Sequence, residues 1–328
     1  MTLNTEMQMP PTQINPLEED TNTKPFSIWQ DSFGRMMKNK LVVISLVLII
    51  ILLFMAIFGP YITPYDYLAQ DLTKRNESPS AMHWLGTDQL GRDVFSRVIY
   101  GARTASLVSL LVVFLSSLIG LVVGSIAGYV GGKVDFVLMW ITDLIMAFPY
   151  LILGVVISVS LRPPLTEWME DRFLATGNPI FRQTSFVDVF IVIIVITSTA
   201  WPPYARLVRS QVMMVRGQNY VTAARALGLS QMKIVRKYII PNSIGPVIVQ
   251  MSAGLGSAML TESALSFLGI GIRPPIPSWG NMIQDGLLVW RTAPHLLVAP
   301  AVVLGLMTVA FSFLGDGLND ALNPKQWK

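Results

Sequence analysis

The stretch LVVISLVLIIILLFMAIF at residues 41–58 is apolar throughout except for Ser45. A helix needs about 20 predominantly apolar residues to cross the hydrocarbon core of a bilayer. A cleaved signal peptide is not expected, because its apolar core is only about 7–15 residues long and follows a short basic start. This run instead follows a polar tail at residues 1–40. We therefore predict a retained first transmembrane helix at residues 41–62.

Five further apolar runs are long enough to cross a membrane, at residues 105–130, 136–161, 186–204, 243–270 and 296–314. Because lipid offers no hydrogen-bond partner, every backbone group must be paired within its own segment, and these runs are expected to be helices. Strands of a transmembrane barrel would alternate over segments of about 10 residues. Only 13% of the residues are charged, against roughly 25% in soluble domains. The sequence thus predicts an all-α integral membrane protein with six transmembrane helices.

The residue inventory excludes several kinds of chemistry. There is no cysteine, and the only histidines are His83 and His295, which rules out a disulfide framework, a thiolate zinc site and a cysteine nucleophile. The phosphate-binding pattern Gly-x-x-x-x-Gly-Lys-Ser/Thr is absent from the sequence. We therefore expect no catalytic site, no metal and no ATP bound by this chain.

Basic residues predict the orientation in the membrane. Residues 206–242 contain seven Lys or Arg and no Asp or Glu, and such segments beside a span stay in the cytoplasm. With six helices, the tails at residues 1–40 and 318–328 lie on that same side, and residues 63–101 form an extracytoplasmic loop. That loop is also rich in Lys and Arg, but it carries acidic residues as well and is long enough to be translocated.

The basic segment has helical patterning of its own at residues 218–241. A first helix is predicted from about Asn219, because alanine is the best helix former, and Gly228 suits the left-handed position that ends it. Ser230 suits the start of a second helix, and Pro241 is expected to stop that helix. Its apolar stripe is formed by Met232, Val235 and Ile239. Two functions remain open on these grounds: adsorption to anionic lipid, at about 1 kcal/mol per basic residue, or docking of a partner against the small side chains.

The run TAARALG at residues 222–228, followed by nine residues and then YIIP, resembles the EAA loop of binding-protein-dependent ABC importer permeases. The family pattern is matched at Ala223, Ala224, Gly228 and Pro241, whereas Thr222 stands where the family usually has Glu. The resemblance implies that this loop couples the membrane helices to a cytoplasmic ATPase, whose groove receives the alanine-rich helix.

Further motifs are similar to the dipeptide, oligopeptide and nickel importer permeases of the second-subunit type. They are HWLGTDQLGRD (83–93), AFP (147–149), WPPYAR (201–206), LSFLG (265–269), PPIPSWG (274–280) and LGDG (314–317). The resemblance implies a type I ABC importer permease fold, with a five-helix transmembrane domain at residues 102–317 that contains the coupling loop. Residues 162–185 look longer than the usual loop of this family.

The same resemblance implies a function and a set of partners. The expected function is the import of peptides across the cytoplasmic (inner) membrane by alternating access, with nickel or another small solute as the alternative. The expected partners are a second permease chain in a heterodimer, two ATP-binding subunits that hold ATP and Mg²⁺, an extracytoplasmic substrate-binding protein and membrane lipid, with no nucleic acid. A self-sufficient channel or carrier would usually show an internal repeat, and an intramembrane enzyme would need a catalytic constellation; neither feature is evident in the sequence.

Charged residues outside the coupling loop provide other candidates. Asp143 and Glu262 lie inside apolar runs, where carboxylates are costly and often functional; the alternative is a carboxylate near a helix end that is hydrogen-bonded to a neighbouring helix. Asp88, Arg92 and Asp93 are expected to form a salt-bridged turn that shapes a docking face for an external partner. The close spacing of small residues predicts helix packing at Gly120 with Gly124 and at Gly254 with Ala258.

Overall fold

The computed structural model describes residue 34, residues 36–182 and residues 185–322. Within this part of the chain there is no strand, and helices carry the fold, as predicted. The helices are α1 Lys40–Ile62, α2 Val94–Val130, α3 Gly132–Ala147, α4 Tyr150–Thr176, α5 Ser185–Arg216, α6 Asn219–Ala226, α7 Gln231–Ile234, α8 Ile240–Phe267, α9 Trp279–Leu288 and α10 His295–Leu322. Short 3₁₀ turns at Leu72–Lys74 and Pro179–Arg182 and a π-turn at Val235–Ile239 complete them.

Six helical segments of the described chain are long and apolar enough to cross a membrane, which confirms the predicted number. They are Lys40–Gly59, Val94–Val130, Tyr150–Thr176, Phe186–Arg216, Gln231–Phe267 and His295–Ala321. Most of the predicted tail at residues 1–40 and the last residues, 323–328, lie outside the described residues. Helix α2 begins at Val94 and so occupies the end of the segment 63–101 that was assigned to a loop.

The prediction of one span at residues 136–161 is wrong. The chain breaks between α3 and α4, where Phe148 is extended (φ −82°, ψ 134°) and Pro149 precedes the new helix. A residue before proline avoids the helical region, and proline itself has no N–H to donate. The spanning helix is α4, and it carries much of the segment 162–185 that was interpreted as a loop.

Glycines allow α2 to lie close to α5. A Cβ atom at Gly120 would be 2.4 Å from the Cβ of Tyr204, and one at Gly124 would be 2.4 Å from the carbonyl oxygen of Ala205. One turn further, a Cβ atom at Gly128 would be 2.8 Å from the Arg209 carbonyl oxygen. The predicted packing role of Gly120 and Gly124 is confirmed, Gly128 adds to it, and together they make α2 and α5 the closely packed centre of the bundle.

The bundle has two ends, which we name by their contents. The loop end carries residues 217–239, and the cap end carries residues 63–93 and 268–294. Connectivity brings the start of α1 and the end of α10 to the loop end, where a Cβ atom at Gly317 would be 2.5 Å from a methyl group of Val42. The start of α1 and the end of α10 therefore lie at the same end of the bundle as the basic segment.

Candidate functional site

Helix α6 ends at the predicted glycine. Gly228 has a φ of +74°, in the left-handed region. Its N–H donates to the carbonyl of Arg225 (3.0 Å), and the N–H of Leu229 donates to the carbonyl of Ala224 (3.2 Å). This pair of bonds is the Schellman arrangement, which pairs the last carbonyls of a helix through one left-handed residue. The predicted helix–glycine–helix shape is confirmed.

One face of α6 is attached to the bundle and the other is free. Val221 and Ala224 are buried in an apolar cluster with residues of α5, α7 and α8. Thr222 and Ala223 are exposed, and the Leu227 side chain is 80% exposed. Of the small residues that were expected to meet a partner, Ala224 therefore belongs to the attached face. The other face of α6 is exposed and consists mostly of small and apolar side chains.

The expectation that Pro241 stops a helix is wrong. Helix α7 passes through the π-turn Val235–Ile239 into α8, so that Gln231–Phe267 forms one continuous rod. Pro241 stands in the first turn of α8, where a missing N–H is tolerated. The π-turn Val235–Ile239 ends just before Pro241. The Asn242 side-chain amide donates to the Tyr238 carbonyl (2.6 Å). Ser230 stands at the start of α7 as predicted, without a capping bond from its hydroxyl.

Polar contacts attach the loop end to its neighbours. The Arg216 guanidinium, at the end of α5, donates through Nη1 to the carbonyl of Tyr129 at the end of α2 (2.7 Å). The Tyr129 hydroxyl donates to Oε1 of Gln231, the first residue of α7. These bonds connect α7 with α2 and α2 with α5.

Asp143 was predicted to lie inside a span, but it stands on α3, which is not among the six spanning segments, and it pairs with a neighbouring helix. Its Oδ1 lies 2.5 Å from Nη2 of Arg206, and both side chains are largely exposed. Two turns earlier on α3, Asp135 accepts two hydrogen bonds from Arg209 (2.5 and 2.6 Å). These bonds hold the pKa of Asp135 below its usual value. The two pairs tie α3 to the half of α5 that adjoins the loop end.

Glu262 lies in a cage of hydroxyl groups at the cap end and is 1% exposed. Its Oε1 accepts hydrogen bonds from Ser266 (2.7 Å) and Ser278 (2.8 Å), and the Ser263 hydroxyl lies 3.3 Å from Oε2. Ser278 also caps α9. The carboxylate therefore joins α8 to α9, which agrees with the hydrogen-bonded alternative rather than with contact to a solute path.

The three charged residues of the predicted turn are all buried. Asp88 accepts hydrogen bonds from the backbone N–H (3.0 Å) and Nε (2.6 Å) of Arg92, so that predicted salt bridge is confirmed. Asp93 instead caps α2 by accepting from Ser96 N–H (2.8 Å), and its other oxygen lies 2.9 Å from Nδ1 of His83. These residues shape the cap from within rather than forming its surface.

Two further residues complete the charged cluster of the cap. Nε of Arg97 lies 3.5 Å from Asp88, and Arg97 is almost completely buried. Arg97 stands in the pair Ser96-Arg97, which also resembles the importer permeases, but no site role was predicted for it. Asp285 was not singled out from the sequence; it reaches the cluster from α9, lines a cavity of about 240 Å³ with Asp88 and Arg97, and has its pKa raised by burial. Among the described residues, no group of three or more His, Asp or Glu side chains is placed to hold a metal ion.

A second cavity, of about 250 Å³, lies midway along the bundle between α2, α5 and α8. Its lining includes the buried residue Ser116 of α2. Gln250, Ser257 and Thr261 of α8 contribute polar side chains to the same lining. None of the described residues that line this cavity is charged.

Comparison with known proteins shows which family this architecture belongs to. The family model described as "Binding-protein-dependent transport system inner membrane component" matches residues 120–328, and that of the "N-terminal TM domain of oligopeptide transport permease C" matches residues 27–79. The chain belongs to the binding-protein-dependent transport family and is a permease subunit of an ABC transporter.

Individual relatives resemble almost the whole chain. It is 38% identical over 315 residues to the dipeptide transport system permease protein DppC of Bacillus subtilis (strain 168), covering 94% of this chain and 89% of that protein. It is 36% identical to the oligopeptide transport system permease protein OppC of the same strain, over 94% and 93% of the two chains. It is 32% identical to the glutathione transport system permease protein GsiD of Pectobacterium atrosepticum, over 90% and 91%.

A solved structure shares the fold. A chain of the inward-facing MetNI methionine ABC transporter superposes with a TM-score of 0.50 at 19% identity, over 69% of this chain and 96% of that one. This similarity supports the ABC importer permease fold that the sequence motifs implied.

Proposed function

We propose that this chain is the membrane-spanning permease subunit of an importer for peptides of the dipeptide or oligopeptide class, driven by two separate ATP-binding subunits. The observation that carries the proposal is the free face of α6, which is anchored on its other side to the helix bundle and followed by the continuous rod of α7 and α8. The similarity to dipeptide and oligopeptide permeases supports peptides as the solute and does not favour nickel.

The proposed orientation places the loop end in the cytoplasm and the cap end outside. The basic residues of 206–242 support this direction. In this orientation the cap end, supported from within by Asp88, Arg92 and Asp93, receives an extracytoplasmic substrate-binding protein. The chain operates in the cytoplasmic membrane, and a second permease chain forms the other half of the path.

The proposed mechanism is alternating access. Mg²⁺ and ATP bind to the partner subunits and not to this chain; closure of those subunits moves α6, with Thr222 and Ala223 on its contact surface. Because α6 is bonded through the Gly228 turn to α7, the movement tilts the rod and opens the path to the outside. Hydrolysis restores the inward-facing state. A motor shifts this equilibrium only through contacts that differ between the two states, and the exposed surface of α6 supplies such contacts.

The test is replacement of Gly228 by Asp. Asp is among the side chains that tolerate a left-handed φ best, and a Cβ atom at Gly228 meets nothing within 4 Å, so the substitution chiefly introduces a charge at the surface proposed to meet the ATP-binding subunit. We expect ATP-driven peptide uptake into proteoliposomes that contain all subunits to fall at least about tenfold, while membrane insertion and assembly of the helices are retained. Gly305, which also has open space around it but lies in α10, provides the control Gly305→Ala. Undiminished uptake by the Gly228→Asp transporter would contradict the proposal.

A further inference from the structure

Polar residues form a stripe along one face of α8. Gln250, Ser257 and Thr261 are spaced at i, i+7 and i+11, which places them on the same side of a helix. Gln250 and Ser257 are exposed and Thr261 is half-buried, although all three lie inside a segment that is apolar enough to cross the membrane. The neighbouring Leu260, one residue before Thr261, is 51% exposed. Its apolar side chain is of the kind expected on a surface that faces lipid.

A cavity indents the bundle along this stripe. Gly254 lies between Gln250 and Ser257, and a Cβ atom at this glycine would be 2.3 Å from the hydroxyl of Tyr204. The absence of a side chain at Gly254 thus lets Tyr204 approach α8, and both residues line the space of about 250 Å³ between α2, α5 and α8. Ser116 of α2 lies on the opposite wall. A polar cavity of this size is large enough for water or part of a solute.

The hydroxyl groups of the stripe retain hydrogen-bonding capacity. Thr261 donates its proton to the Ser257 carbonyl (2.8 Å), and the Ser257 hydroxyl donates to the Ala253 carbonyl (3.3 Å). Their oxygen lone pairs therefore remain as acceptors, while the Gln250 amide both donates and accepts. Polar groups at this depth are tolerated where they line a water-filled cavity. The wall has no charge with which to select a charged side chain.

We propose that Gln250, Ser257 and Thr261 form the wall of the water-filled solute path, and that this wall hydrogen-bonds to the backbone amides of the transported peptide. The inference rests on the proposed function and adds to it the chemistry of recognition inside the membrane. Each peptide residue other than proline offers one N–H and one carbonyl, whatever its side chain. The wall is uncharged and offers hydroxyl acceptors and one amide, so it can bind the backbone of peptides with any side chains.

The water-filled path can be tested directly because the chain contains no cysteine. Single substitutions Q250C, S257C and T261C are introduced into the complete transporter in membranes, with L260C and the buried position S252C as matched controls on the same helix. Because the thiolate is the reactive form and lipid disfavours it, a charged, water-soluble methanethiosulfonate reagent should modify the three stripe positions at least about tenfold faster than L260C. Equal rates at the stripe and at L260C would overturn the water-filled path and indicate a face covered by lipid or by the partner chain.

The amide recognition has its own test. Thr261→Val removes the acceptor and keeps the shape, so uptake of peptides should fall about fivefold, the effect of about one hydrogen bond. The loss should be equal for acidic, basic and apolar peptides, and Ser252→Ala should leave uptake unchanged. A loss confined to one class of peptide side chain, or no loss, would overturn amide recognition. The labelling experiment uses no substrate, so its failure is distinguishable from failure of the proposed peptide import.

Discussion

The two ends of the bundle both use glycines with a left-handed backbone, but they use them in opposite ways. At the loop end, Gly228 (φ +74°) is surrounded by open space. At the cap end, Gly91 (φ +71°) lies so close to another segment that a Cβ atom would be 1.8 Å from the Asp71 carbonyl oxygen. The first glycine ends a helix that presents a free face, whereas the second allows two segments to interlock.

The two ends also differ in the kind of contact that holds their segments together. At the cap end, directed hydrogen bonds connect segments far apart in sequence: the Trp279 indole N–H donates to the Val98 carbonyl (3.0 Å), and the Gln89 amide donates to the Asp285 carbonyl (2.9 Å). At the loop end, α6 is held mainly by the burial of Val221 and Ala224. Hydrophobic contact is not directional, so α6 is held less specifically than the interlocked segments of the cap end.

The largest effect expected from this difference is at Gly280 of α9. A Cβ atom there would be 2.0 Å from the Ser263 carbonyl oxygen, so Gly280→Val should force α9 away from α8 and cost more than about 4 kcal/mol, an exceptional loss for one substitution. Thermal unfolding of the purified chain in detergent measures this loss. Gly228→Val is the matched change at the loop end, where only backbone strain of about 1–2 kcal/mol applies. Comparable losses of stability from the two substitutions would contradict the difference between the two ends.

A smaller effect is expected when one charge is removed from the buried cap cluster. Asp88→Asn keeps the shape of the side chain but leaves Arg92 and Arg97 without the carboxylate that pairs with both. Breaking a buried ion pair typically costs about 3–5 kcal/mol, and the unfolding temperature should fall accordingly. Arg225→Gln on the exposed surface of α6 should change stability by less than about 0.5 kcal/mol. A stable Asp88→Asn chain would mean that the cap does not depend on its buried charges.

The smallest effect concerns the pair between Asp135 and Arg209, near the loop end. Because the hydrogen bonds from Arg209 lower the pKa of Asp135 in the folded chain, this pair stabilises the fold above the unfolded pKa of about 3.9. Its contribution is lost as the pH falls through the lower, folded-state pKa. Partly exposed pairs contribute about 0.2–1 kcal/mol. The difference in unfolding temperature between the wild type and Asp135→Asn should therefore be small at pH 7 and should disappear in acid; a difference independent of pH would contradict this assignment.

Local patterns in the sequence predicted the features that depend on local physics. Continuous apolar runs gave the six spans, and Gly228 was assigned correctly because a left-handed helix end is decided by one residue and its neighbours. The same hydropathy signal failed at Pro149, since apolar residues on both sides concealed a backbone break. The start of α2 was also missed, although Asp93 provides a local capping signal by accepting a hydrogen bond from the Ser96 N–H.

The parts of the site that could not be predicted depend on contacts between distant segments. Glu262 was recognised as an unusual carboxylate, but its partner Ser278 lies in a different element and is brought to it only by the fold. The cavity beside Gln250 needs three helices to define it. The spacing of Gln250, Ser257 and Thr261 was available in the sequence, yet a polar stripe gains meaning only when the cavity beside it is known.

The uninterrupted rod from Gln231 to Phe267 has a mechanical consequence. Its 37 residues span about 55 Å at 1.5 Å per residue. It begins just after the turn that follows α6 and ends beside the hydroxyl groups around Glu262. Near its middle, Gly254 and Gly256 let α5 and α10 approach closely on either side. If this helix turned about the contacts at Gly254 and Gly256, its two ends would move in opposite directions. Under the proposed alternating access, one such tilt would narrow one opening of the path and widen the other.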